Sequence, residues 1–133
     1  MSRAVRVPLG DDQRPVGRDP ELVRLLALYQ DAVVRSRHLD AVTTELVRLR
    51  CARQHDCRIC QTLRLASAAE LGADDALTDQ IDFYETSDLS ERHKVALRLA
   101  DAHLTGPASI SPQLAADVQR RMQRVSQSES QSE

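Results

Sequence analysis

Tryptophan is absent, and the aromatic side chains are limited to Tyr29, Phe83 and Tyr84. The core must therefore be built from Leu, Val, Ile and Ala, which bury less area per side chain than aromatic rings. That makes oligomerisation a natural way to bury more. Lys94 is the single lysine, so almost every cation is an arginine, suited to forked pairing with carboxylates. No excess of positive charge exists either. The formal net charge is −2, which gives no general attraction to nucleic acid or to an anionic membrane. No apolar run approaches the length a bilayer span needs. The opening stretch MSRAVRVPLGDDQRP lacks the apolar segment of a secretory signal. Cysteine is scarce and odd in number, three in all, which argues against a disulfide scaffold. These absences lead to the expectation of a cytoplasmic protein, and in a reducing compartment a C-x-x-C pair is more often catalytic or metal-binding than structural.

The 133 residues, 29% charged and 41% hydrophobic, have the composition of a single globular domain. Residues 1–18 carry Pro8, Gly10, Pro15 and Gly17 among charges and read as an extended arm. Asp19-Pro20-Glu21 is a helix start, with a cap, a proline in the first turn and a carboxylate at the positive end of the dipole. Leu22, Leu25, Leu26, Tyr29 and Val33 then recur at helical spacing, predicting one buried stripe on a helix to about residue 37. Asp40 caps a second helix whose apolar face holds Val42, Leu46, Leu49 and Ala52, and Glu45 falls on that same face. Burial of that carboxylate requires a partner, such as one of the many arginines, or favours its protonated form. Asp56 is expected to cap a third helix from Cys57, with Ile59, Leu63, Ala66 and Ala69 as apolar positions and Gly72 at its end. Further helices are predicted around Leu77, Ile81 and Tyr84, from Ser87 or Ser90 to Gly106-Pro107, and from Ser111-Pro112 with Leu114, Val118, Met122 and Val125. The end, SQSESQSE, is polar and of low complexity, and a disordered tail is expected over 126–133. No alternating strand and no internal repeat is found. The fold class is all-α.

Reactive side chains concentrate in ELVRLRCARQHDCRICQTLR, from Glu45 to Arg64. At a helix start, Cys57 and Cys60 sit near free backbone N–H groups, which favour thiolate over a free thiol of pKa about 8.5. Their spacing allows a small disulfide ring. Arg64, four residues past Cys60, is expected on the same face as a thiolate-stabilising charge. Such a pair reacts with peroxides or disulfides: one sulfur is oxidised to sulfenic acid and the other resolves it. Two readings from other classes remain open on these residues. Cys51, His55, Cys57 and Cys60 are four ligands of zinc-compatible type, though tightly spaced. A helical interaction module with buried, inert cysteines is the other.

Glu45 followed twelve positions later by the C-x-x-C, within ELVRLRCARQHDCRIC, resembles the signature of the carboxymuconolactone decarboxylase / AhpD-like alkylhydroperoxidase superfamily. LSERHKVALRLADAHLTGPASISPQL, from Leu89, is similar to that family's following helix and loop, and the resemblance covers about residues 20–125. It implies an all-helical domain over 19–125, assembled as a homo-oligomer, a trimer or hexamer. The implied activity is that of a thiol peroxidase or disulfide oxidoreductase, an antioxidant enzyme using no metal or organic cofactor. Its partners would be a peroxide or disulfide substrate and a thiol or dithiol electron donor. Residue by residue, the resemblance implies Cys60 as the attacking thiol, Cys57 as the resolving thiol and Glu45 as the proton-relay carboxylate. The family's histidines just before and four residues after the second cysteine are Ile59 and Arg64 here. Arginine is not a base at neutral pH, which leaves His55 as the candidate proton carrier. The decarboxylase branch lacks the cysteine pair, so a lactone decarboxylase activity is the lesser expectation.

Overall fold

The structure, a computed structural model, describes residues 19–36 and 38–129, with side chains described through Arg121. The expected arm over 1–18 lies outside the described residues. So does the expected tail over 126–133, apart from the backbone of 126–129, which continues the last helix; the side chains of Met122 and Val125 are likewise outside. All regular structure among the described residues is helical, with no strand. None of these helices is long and apolar enough to cross a membrane.

The chain divides into two compact units with the boundary after Ser36. The first holds helix α1, Pro20–Val34. As the sequence indicates, Asp19 caps it, accepting the Glu21 N–H at 2.8 Å, and Pro20 occupies the first turn, where its missing donor costs nothing. Arg24 grips Glu21 and Arg35 grips Asp31 along its exposed surface. None of the helix's residues is buried, in contrast to the covered stripe expected of Leu22, Leu25, Leu26, Tyr29 and Val33.

The second unit is built on α2, Ala41–Gln54, and α6, Glu91–Thr105, which pack against each other. Asp40 caps α2 through the Thr43 N–H at 2.8 Å and also accepts the Thr43 hydroxyl; Ser90 caps α6 through the His93 N–H. Between them run three short helices: α3, Arg58–Thr62; α4, Ala66–Glu70; and α5, Asp75–Thr78. A 3₁₀ segment, Asp79–Thr86, follows α5, and a final helix α7, Pro112–Glu129, packs on α6. Gly106, at φ +149°, ends α6 in a conformation open to glycine alone at little cost. The core is Leu46 and Leu49 of α2, Ile81 and Tyr84 of the 3₁₀ segment, Leu89, and Leu97 of α6, with Val42 and Leu77 packed at its edge. It is aliphatic with one ring, as the composition requires.

A polar cluster ties the same three elements beside this core. Arg50 of α2 forks onto Asp101 of α6 at 2.7 and 3.0 Å, and the Tyr84 hydroxyl donates to Asp101 at 2.9 Å. The Arg50 guanidinium lies 5.5 Å from the centre of the Tyr84 ring. Burial, then the neighbouring Asp101 carboxylate, pushes the Tyr84 phenol up to about 12.

At the other end of the unit, Arg92 of α6 donates to Asp40 at 3.1 Å and to the Arg121 carbonyl at 3.1 Å, joining the cap of α2 to α7. Burial raises the Asp40 carboxyl, but the Thr43 and Arg92 hydrogen bonds outweigh it and hold the group below its usual value. His93 stands next to them with its Nδ1 buried and without a hydrogen-bond partner among the described residues. Burial lowers its pKa, Asp40 opposing and Arg92 assisting. The folded state thus resists a proton that the unfolded chain takes up near pH 6.5. Stability from this site is complete above that pH and is lost as pH falls toward the lower, folded value. Urea unfolding of the wild type should therefore show stability declining from about pH 6.5 to pH 5, above the range where carboxylates titrate. His93→Leu should flatten that slope; an unchanged slope would mean that another group carries it.

Candidate functional site: the Cys57–Cys60 pair

The site begins with the way α2 ends. His55 is its C-cap, and Asp56 follows at φ +48°, in the left-handed region that Asp tolerates better than most residues. The Asp56 N–H donates to Arg53 O at 3.1 Å and the Cys57 N–H to Ala52 O at 2.9 Å, which together form a Schellman motif. Asp56 is therefore the terminator of α2. It does not cap the next helix, as its residue type suggests. That place belongs to Cys57, whose Sγ accepts the Cys60 N–H at 3.4 Å. Cys57 and Cys60 are joined by a disulfide with their Cα atoms 5.3 Å apart, and both residues are half-buried.

The helix carrying the pair is much shorter than its apolar spacing predicts. A single helix from Cys57 past Ala69 is expected; instead α3 stops at Thr62, Leu63 and Leu65 are extended, and α4 begins at Ala66. Glu45 and Arg48 supply the reason. Glu45 is 1% exposed, and Arg48 clasps both of its oxygens, Nε to Oε2 at 2.7 Å and Nη2 to Oε1 at 2.9 Å. The same guanidinium donates to Cys60 O at 2.7 Å and to Leu63 O at 2.6 Å, while the Leu65 N–H donates to Glu45 Oε1 at 3.3 Å. In an uninterrupted helix Cys60 O would accept the Arg64 N–H and Leu65 N–H would seek Gln61 O. The ion pair takes both roles, so it stands in for a turn of helix. Beyond it α4 closes as the sequence indicates, with Gly72 at φ +95° in a second Schellman motif.

The break redistributes the other candidate residues. Arg64 lies past the end of α3, so the expectation of a charge one helical turn beyond Cys60 does not hold. Its guanidinium folds back on the carbonyls of Gln61 and Leu63 and approaches Asp75 at 3.8 Å. Ile59 and Leu63, with Ala66 and Ala69, are exposed instead of forming an apolar stripe; of this region only Ala68 is buried. His55 is exposed at the end of α2, its ring without a hydrogen bond among the described residues, Asp56 included. Among the described residues Glu45 is hydrogen-bonded to Arg48 and the Leu65 amide.

Cys51 is a free thiol on another face of α2. It lines an apolar cleft of about 480 Å³ formed by α2, α6 and α7, with Val47, Leu99, Leu104 and Val118. Burial, then the Asp101 charge, pushes this thiol up, which keeps it protonated and poorly reactive. The four zinc-type ligands are therefore dispersed: two are joined as a disulfide, one lines the cleft and one faces solvent. Among the described residues no three His, Cys, Asp or Glu side chains converge as a metal set would.

Arg48 is the neighbour of the pair that residue-by-residue reading missed. The signal was present, since ELVR places an arginine three residues after Glu45, on the adjacent face of one helix.

No family model matches the chain, and no solved structure matches it. Two curated relatives do, both from Mycobacterium tuberculosis, one of strain CDC 1551 / Oshkosh and one of strain ATCC 25618 / H37Rv, each described as an uncharacterized protein. Each is 47% identical over 94 residues, which is 70% of this chain and 33% of the relative. The chain thus spans about a third of the length of the curated relatives it matches.

Removing one member of a buried ion pair is strongly destabilising, because the other is left uncompensated. Arg48→Met, which also strips Cys60 O of its donor and leaves Leu63 O with Arg64 alone, should lower the unfolding free energy by about 3–5 kcal/mol in urea titration. Glu45→Gln, which leaves an acceptor for Arg48 and Leu65, should cost less. If Arg48→Met costs under about 1 kcal/mol, in the range of an exposed pair, the clasp does not hold the break in the helix.

Proposed function

We propose that this chain is a thiol-dependent oxidoreductase of the carboxymuconolactone decarboxylase / AhpD-like type, reducing peroxides or exchanging disulfides through Cys57 and Cys60. The observation that carries this reading is the half-buried disulfide itself, formed by neighbouring residues at the start of a helix. Support comes also from the all-helical fold and from the buried Glu45, whose partner Arg48 donates to Cys60 O.

In the reduced protein, the Cys60 thiolate attacks the outer oxygen of a hydroperoxide, the O–O bond breaks, and the alkoxide leaves as an alcohol after taking a proton. Cys60 is then a sulfenic acid. The Cys57 sulfur attacks it, water departs, and the Cys57–Cys60 disulfide forms. A thiol or dithiol donor returns two electrons and two protons. A cytoplasmic setting would supply such donors. The Cys57 end of α3 offers free N–H groups to whichever sulfur is ionised. His55, exposed and two residues before Cys57, is the histidine nearest in sequence to the pair, and we assign it the proton exchange with solvent. Glu45 serves in this reading by positioning Cys60 through Arg48, and as a relay only if Arg48 releases it. A homo-oligomer, trimeric or hexameric, completes the proposal, because α1 carries a leucine-rich face that needs a cover.

The test is stopped-flow oxidation by an alkyl hydroperoxide with mass analysis of the thiols. Cys60→Ser should abolish fast reaction, and Cys57→Ser should leave one trappable sulfenic acid. Glu45→Gln should slow the reaction; a relay role would change its pH profile, a positioning role only its rate. If Cys57→Ser is the inert variant, the two sulfurs exchange roles. Reaction of every variant at the rate of free cysteine would remove the peroxidase reading.

A further inference from the structure

We infer that the surface around Cys57 and Cys60 is the docking face for a protein dithiol whose reactive cysteine lies in an apolar patch with an acidic rim. This rests on the redox reading above and names the electron donor that it requires. Three observations converge on it.

First, one of the two residues between the cysteines is Ile59, and it is 74% exposed; Leu63, at the end of the same short helix, is 58% exposed. Two large aliphatic side chains held in water beside a disulfide form an apolar collar that a small thiol does not use. A protein surface does, because covering them removes apolar area from water. Second, the charge around the pair is opposite to that of the whole chain. The chain carries −2, whereas residues 53–64 hold Arg53, Arg58 and Arg64 against Asp56; Arg53 is paired with Asp82 at 3.1 Å, so the rim is made by Arg58 and Arg64. Arg58, between the cysteines, is exposed and makes no ion pair among the described residues. Arg64 faces its nearest carboxylate, on Asp75, only at 3.8 Å, and that carboxylate is itself 90% exposed. This positive rim complements an acidic one and steers its approach. Third, both cysteines are only half-buried, so a sulfur presented from a partner's surface can come in line with the S–S bond.

The exchange balances with a dithiol alone. One partner thiolate attacks a sulfur of the Cys57–Cys60 bond; that bond breaks, a mixed disulfide forms, and the displaced sulfur takes a proton. The partner's second sulfur, after losing its proton, then attacks the mixed disulfide. The partner leaves oxidised, and Cys57 and Cys60 are both thiols.

Reduced thioredoxin as the protein dithiol and dithiothreitol as the small one, each mixed with the oxidised full chain under rapid alkylation quench, separate the outcomes. Thioredoxin should reduce the wild type faster than dithiothreitol at equal concentration, with a rate that falls more steeply as salt is added. Ile59→Ser and Arg58→Glu should each lower the ratio of the thioredoxin to the dithiothreitol rate constant by about tenfold, the loss of one well-placed interface anchor. If dithiothreitol opens the disulfide but thioredoxin is no faster, or the variants keep the wild-type ratio, the docking face is overturned while the redox reading stands. If neither reductant opens it, the redox reading falls and the donor surface with it.

Discussion

A carboxylate that is 1% exposed sits among the leucines of α2, and its guanidinium partner lies one turn away on the same helix. Much of the local structure follows from how that charge is satisfied. Arg48 has more donors than Glu45 can take, and the surplus reaches the carbonyls of Cys60 and Leu63. Glu45 has acceptor capacity left after Arg48, and it accepts the Leu65 amide. Each partner is thus completed by backbone from the next elements, and those elements are held at the place where a helix would otherwise continue.

The break decides what the cysteines face. Had α3 continued through Ala69, Ile59, Leu63 and Ala66 would have formed one stripe suited to packing against α2. With the chain stopped at Thr62 and extended over Leu63–Leu65, the apolar side chains of α3 turn outward around the disulfide. Cys57 reaches its position by a separate route, the left-handed turn at Asp56. Two independent local devices, a Schellman turn before the pair and an ion-pair clasp after it, isolate a single turn of helix carrying both sulfurs. The contrast with Cys51 illustrates what that isolation does. It is on the same helix as Glu45, but in an apolar cleft that raises its pKa.

Helix starts were the most legible part of the sequence. Asp19, Asp40, Ser90 and Ser111 each act as the expected cap or helix start, because capping is a local contest between a side chain and the backbone beside it. Core positions on α2, the 3₁₀ segment and α6 followed from periodicity for the same reason. The length of α3 was not legible, since apolar residues at Ile59, Leu63, Ala66 and Ala69 satisfy a helical template and the interruption comes from a side chain twelve residues upstream. Asp56 misled in a related way: Asp is a good N-cap and also one of the few residues tolerated at positive φ, and residue type alone does not separate the two uses. Glu45 was recognisable as a buried charge in need of an arginine. Which arginine was settled by geometry, and with it the fate of Arg64.

A buried ion pair is often no more stable than a well-packed apolar pair of the same volume, so its presence calls for a reason other than stability. Here the backbone supplies one. Leucine and methionine at positions 45 and 48 would fill the space, but two carbonyls and one amide between Cys60 and Leu65 would be left without these partners. Those groups would be satisfied most cheaply by resuming the helix, since intrahelical bonds need no outside donor. An apolar pair therefore favours a continuous α3–α4 helix with Ile59 and Leu63 turned inward. The charged pair favours the interrupted one, with the disulfide on a short, exposed turn. The ion pair is best understood as the element that selects between these two backbones, and the accessibility of the cysteines follows from the selection.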